Sequence, residues 1–331
     1  MFSGLSFAAE FNQAKEKGRK MSSFVIIQQM CVIMILVSVG IYLHKKQVVD
    51  QTVSQRISTI IIDICNPAMI LSSALSGNVT ASHKELLNAI LVGFIFYAGL
   101  VLLGALLPPL LRADKKERRF YTMMTVYTNI GFIGIPVTKA LLPEKAMLYV
   151  VICNVIYALL FYTHGITILS EGREKLNLKK IISPGTIMAI ISLIIIWFDY
   201  KPPVIISSSV SYIGNATVFL SMTLLGVSIA RSKVIEGFMD LRIWGFIVLR
   251  LVLIPTLLFF LLHAAGCKDI MVLGFSLMAM MPVGNLPLIQ AEKTGEDTGI
   301  LSKGITVTTI VSMAVITLLM ILFTGYLAAG S

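Results

Sequence analysis

Two stretches of this chain set glycine, asparagine and proline inside otherwise apolar runs: Thr128-Asn-Ile-Gly-Phe-Ile-Gly-Ile-Pro136 and Met280-Met-Pro-Val-Gly-Asn-Leu-Pro287. Pro136 and Pro287 are 151 residues apart. If each run is a membrane helix, it breaks there, and an unsatisfied backbone group in lipid costs several kcal/mol, so such a break persists only where it faces a polar cavity or a ligand. The second half of a broken helix begins with unpaired amides and roughly half a unit of positive charge, a receptor for a carboxylate. Asn129 and Asn285 can each donate and accept, which suits capping the broken ends and contacting a carboxylate or its neighbouring hydroxyl. Gly131, Gly134 and Gly284 belong to the same interruptions. Pro136 and Pro287 withhold a donor and fix φ, which maintains the break.

Two ionisable residues fall deep in apolar runs. A charge at the centre of a membrane helix costs about 2.5–3.5 kcal/mol on an insertion scale, so Asp63 and Arg250 each require a partner, a cavity or neutralisation. Asp63, one turn before Asn66-Pro67, is a candidate proton or sodium site, or a structural hydrogen bonder. Arg250 could hold a carboxylate bidentately; bonding carbonyls freed by the broken helices is the favoured reading. Asn154, Tyr157, Asn215, Ser228, Thr306, Thr308 and Thr309 are weaker candidates, since such residues also bond across membrane helices. His44, His83, His164 and His263 have no carboxylate or cysteine at ligand spacing, so neither a metal nor a catalytic dyad is expected. Cys31, Cys65, Cys153 and Cys267 stand singly and read as small buried hydrophobes. No cofactor is expected, and no set of nucleophile, base and metal ligands suggests an enzyme.

The elements that must position these residues follow from composition. With 56% apolar and 13% charged residues over 331 positions and a mean hydropathy of +0.88, the chain exceeds what one soluble core could bury. The net charge of +10 lies in short segments between apolar runs, where it acts as a topology signal and not as a nucleic-acid surface. Ten spans are expected: 24–43, 55–76, 86–111, 119–142, 146–169, 184–200, 206–229, 240–263, 269–292 and 301–325. The 151-residue offset carries spans one to five onto spans six to ten, with the interrupted spans fourth and ninth. Five is odd, so the halves 24–169 and 184–325 are expected to be inverted, an architecture in which broken helices meet near the bilayer midplane.

Loops after odd-numbered spans hold 17 Lys and Arg against 5 on the other side, which predicts both termini outside the cytoplasm. Lys15, Lys17, Arg19 and Lys20 run against that assignment, and residues 1–22 are read as an N-terminal extension or interfacial segment.

Asn66-Pro67-Ala-Met-Ile-Leu-Ser-Ser, Thr128-Asn129 with Gly134-Ile-Pro136, Leu224-Leu-Gly226-Val-Ser-Ile-Ala230, Arg250-Leu-Val-Leu-Ile-Pro255 and Pro282 to Pro287 together resemble the auxin efflux carrier family across residues 24–325. That family includes plant auxin exporters and bacterial permeases for small organic acids such as malate and malonate. No long loop separates spans five and six, so the resemblance is to the short bacterial branch. It implies a scaffold of residues 24–76 and 184–229, often dimeric, and a transport domain of residues 86–169 and 240–325 that moves against it like an elevator. It places substrate beside Asn129 and Pro136, and beside Gly284, Asn285 and Pro287, with Asn66 and Ser72 of the scaffold covering the site.

The function implied is secondary transport of a small organic acid across a plasma membrane, with the lipid bilayer and a second copy of the chain as partners. The alternative is a sodium- or proton-coupled cation antiporter with crossed helices. Such an antiporter would be expected to carry a carboxylate beside the crossover, and spans four, five and nine have none near their centres.

Overall fold

A computed structural model describes residues 23–75, 81–171, 184–231, 237–293 and 299–329. The expected extension at residues 1–22 lies outside the described residues, as do Arg173, Lys175, Lys179, Lys180 and Lys233. The described chain is helical, with no strand.

Its helices are α1 (Ser23–Lys45), α2 (Gln51–Leu75), α3 (His83–Leu110), α4 (Arg118–Val126), α5 (Ile130–Leu141), α6 (Glu144–Leu169), α7 (Pro184–Phe198), α8 (Val204–Arg231), α9 (Leu241–Ala264), α10 (Asp269–Ala279), α11 (Leu286–Lys293) and α12 (Gly299–Ala329). Seven of them, α1, α2, α3, α6, α8, α9 and α12, are long and apolar enough to cross a membrane; α5, α7 and α10 are apolar but shorter. A membrane helix satisfies its own backbone and exposes apolar side chains to lipid. Outward-facing Ile95, Leu102, Ile205, Tyr212 and Leu261 fit that solvent.

Four turns widen to π geometry: Ile61–Cys65, Ile130–Gly134, Phe161–Gly165 and Val248–Leu253. Three of these lie immediately before Pro67, Pro136 or Pro255. Proline removes a donor and crowds the carbonyl four residues back, and a wider turn relieves both. The turn at Phe161–Gly165 has no such proline.

α1, α2, α7 and α8 pack against one another. Gly40 and Gly226 set α1 against α8 backbone to backbone, leaving no space for a Cβ at either position. Small residues bring membrane helices together in this way because lipid gives them no hydrophobic drive to associate. The remaining helices pack onto these four around one continuous core, in which Tyr97, Phe96, Tyr149, Phe275 and Met278 join Ile33, Met69 and Ala189. Two ion-pair clusters join the remaining helices at their ends: Glu85 of α3 holds Lys268 before α10 and Lys145 of α6, and Arg242 of α9 holds Glu117 at 2.8 Å and Asp114 at 3.7 Å before α4.

The outward-facing Cys31 departs from the reading of the cysteines as buried; Cys65 and Cys153 are buried, and Cys267 is half-buried.

Candidate functional site

α4 stops at Val126 and α10 at Ala279, and in each case several residues pass before the next helix begins. The intervening segments meet as an antiparallel bridge between Thr128 and Val283. Asn129 N donates to Pro282 O at 2.8 Å and Gly284 N donates to Tyr127 O at 2.9 Å. Each segment thus supplies backbone partners that the other lost on leaving its helix, as an apolar interior requires. Gly284 is fitted to this contact: a Cβ there would stand 2.9 Å from Tyr127 O and 3.0 Å from Thr128 O.

Two carbonyls remain. In an unbroken helix Thr125 O would accept from residue 129 and Ala279 O from residue 283. Those amides point elsewhere, to Pro282 O and to Thr308 Oγ1 respectively. Arg250, 1% exposed, fills both vacancies: Nε donates to Thr125 O at 2.8 Å and Nη1 to Ala279 O at 2.5 Å. One guanidinium therefore caps the C-terminal ends of α4 and α10, where the helix dipoles concentrate negative charge. Arg250 is not part of the cavity lining described next.

The paired segments also line a cavity of about 200 Å³. The interruptions contribute Thr128, Asn129, Gly284 and Asn285; α5 contributes Gly131, Phe132 and Ile135; α6 contributes Asn154, Tyr157 and Tyr162. α2 and α7 close it with Ile62, Asn66, Ile70, Gly185 and Thr186. Among the described residues, no lining side chain is ionisable except the tyrosines. Asn129 Oδ1 accepts the Phe132 amide at 3.1 Å and so caps the first turn of α5. Asn66 Oδ1 is buried with no hydrogen-bond partner among the described residues. A buried acceptor left unmade costs about 1–3 kcal/mol, which a donor arriving in the cavity would recover.

The structure thus gathers Asn66, Asn129, Gly131, Asn154, Gly284 and Asn285 around one space. Gly134, Pro136 and Pro287 lie in or beside the interruptions without lining it. Ser72 bonds back to Met69 O in its own helix at 3.1 Å. Asp63 points outward from the π turn of α2, exposed and outside the lining. Among the weaker candidates, Tyr157 lines the cavity, Thr308 holds the Val283 amide, and Asn215 accepts from Lys139 Nζ between α8 and α5. Tyr162 and Thr186 escaped the sequence reading, and Thr128 stood in the first glycine- and proline-bearing stretch with no role assigned to it. Thr186 also carried a signal, a polar residue following Pro184-Gly185 at the start of a span.

A sequence model of the family described as membrane transport protein matches residues 25–178 and 172–321. An uncharacterized transporter of Methanocaldococcus jannaschii is 26% identical over 298 residues, covering 87% of this chain and 95% of that protein.

Proposed function

The chain belongs to the membrane transport protein family, the auxin efflux carriers that its motifs resemble, and from that premise we propose that this multi-pass membrane transporter carries a small organic anion by elevator-type alternating access. One observation carries the reading. Two interrupted helices pair through their backbones beside a largely apolar cavity into which carboxamides and helix starts also face, with no carboxylate among the described lining residues. The N-terminal ends of α5 and α11 would attract a carboxylate. Asn285 and Asn154 would donate to it, and the Asn66 acceptor suits an adjacent hydroxyl.

In this proposal the ten expected spans form two inverted five-helix repeats, with α4–α5 and α10–α11 as the crossing broken helices. The ion pairs suit it in outline. Glu85–Lys268 joins the starts of spans three and nine, and Arg242–Glu117 joins the starts of spans eight and four; the 151-residue offset carries Lys268 onto Glu117. Residues 24–76 and 184–229 would form the scaffold and pair with a second copy. The elements from residues 86–169 and 240–325 would move as one body. The reading also places both termini outside the cytoplasm and the protein in the plasma membrane. The absence of a carboxylate from the lining weighs against cation antiport.

Proteoliposomes offered radiolabelled mono- and dicarboxylates under imposed proton, sodium or electrical gradients test the reading. Saturable anion flux is expected. Robust sodium/proton exchange with no flux of any acid would overturn it.

A further inference from the structure

The π turn Phe161–Gly165 has no downstream proline to account for it, and wide turns of this kind collect at functional sites. It carries His164, whose Nδ1 lies 2.8 Å from the Tyr127 hydroxyl. The same hydroxyl lies 3.0 Å from the Leu160 carbonyl. Tyr127 is buried, and its own carbonyl is the acceptor for Gly284 at the crossover. Gly165 makes the approach possible, since a Cβ there would meet the Tyr127 hydroxyl at 3.0 Å and its ring at 2.9 Å. On its other side the Tyr127 ring stands edge-on to Tyr157, at 5.5 Å between centroids, and Tyr157 lines the cavity. His164 Nε2 has no hydrogen-bond partner among the described residues, and the residue is half-buried.

Proton counting gives this element two states. The phenol has one hydrogen and faces two groups. A neutral imidazole protonated on Nδ1 satisfies both, since Nδ1–H donates to the phenol oxygen and the phenol donates to Leu160 O, and this leaves the Nε2 lone pair to take a further proton. The added proton also brings positive charge behind the wall of the cavity. An anion in the cavity and a proton on His164 therefore favour one another, and by linkage each raises the affinity of the other by the same factor. The groups on neighbouring elements are Tyr127, Tyr157 and Tyr162, then Arg119 of α4, which bonds Leu169 O at 2.9 Å and pairs with Glu171. α11, which also lies against this end of α6, carries Glu292 and Lys293 in its sequence.

The geometry points to His164, held by Tyr127 against the helix crossover, as the proton-binding site that couples anion transport to pH. This extends the anion-transport reading and rests on it for the coupling, while the proton site itself can be measured without transport.

Protein labelled with ¹⁵N-histidine and reconstituted in nanodiscs contains four histidines, and replacing His44, His83 and His263 by Gln leaves His164 alone in the spectrum. Its ring nitrogens are expected to titrate within the pH range over which the protein stays folded, with the midpoint displaced in Tyr127→Phe. In proteoliposomes, counterflow of radiolabelled malonate is expected to change by about fivefold across that range, and the change to vanish in His164→Gln with flux retained. An imidazole fixed in one protonation state throughout, or a His164→Gln pH profile that overlays the parent, would overturn the assignment. If malonate and every other acid fail to move, the transport reading falls, and the nanodisc titration with its Tyr127→Phe displacement still decides the proton site.

Discussion

At the first interruption Asn129 is engaged with the backbone, its Oδ1 accepting the Phe132 amide at 3.1 Å. At the second, Asn285 lines the same cavity half-buried, with no side-chain hydrogen bond to any described residue. The backbone there is held instead from outside, Ala279 O by Arg250 and Val283 N by Thr308. Two segments alike in sequence thus divide their work differently: one uses its asparagine as a cap, and the other leaves its asparagine facing the cavity.

The largest effect expected from breaking this comparison is at the residue both segments share. Arg250→Met strands two buried carbonyls, at about 1–3 kcal/mol each, and the thermal midpoint of the purified protein should fall steeply. Arg250→Lys should recover little, since an ammonium lacks the planar fork that reaches two acceptors. A midpoint unchanged in Arg250→Met would remove the shared cap from the account. Next in size is Gly284→Ala, whose methyl group would press on two carbonyls of the opposite segment; a loss of about 1–3 kcal/mol is expected, together with loss of the flux measured in proteoliposomes.

The asparagines sharpen the contrast itself. Asn285→Ala should weaken acid binding about tenfold, about 1.4 kcal/mol, with the thermal midpoint of the free protein retained. Asn129→Ala should lower that midpoint by removing a cap, about 1 kcal/mol, as well as weakening binding. Ligand-induced thermal shifts measured on both variants separate the two, and identical behaviour would erase the distinction. The smallest effects belong to the ion pairs. Glu85→Gln and Glu117→Gln should each change stability by less than about 1 kcal/mol, with the difference from the parent shrinking in high salt.

The helical membrane class, the apolar stretches and the helix stops near Asn129 and Gly284 were legible in the residues, because hydropathy and helix-breaking chemistry are local properties of the chain. The inward reach of Asn66 and Asn154 could be suspected from their type alone. That Arg250 bonds freed carbonyls was the favoured reading of the residues, although which carbonyls it reaches was not legible, and neither was the outward placement of Asp63. Asp63 faces outward from its turn, whereas Arg250 bonds residues 125 positions before it and 29 after it. His164 stood among four histidines without a ligand pattern, and only the packing of Tyr127 against Gly165 gives it a partner.

By itself the sequence determined where helices could form and where they could not continue, since glycine, proline and unbroken apolar length act within a few residues. Tertiary structure decided which broken ends meet, which polar groups are consumed in holding them and which are left facing a cavity. A hydrogen bond between distant segments depends on the position of both partners, and no local rule fixes that position before the helices have packed.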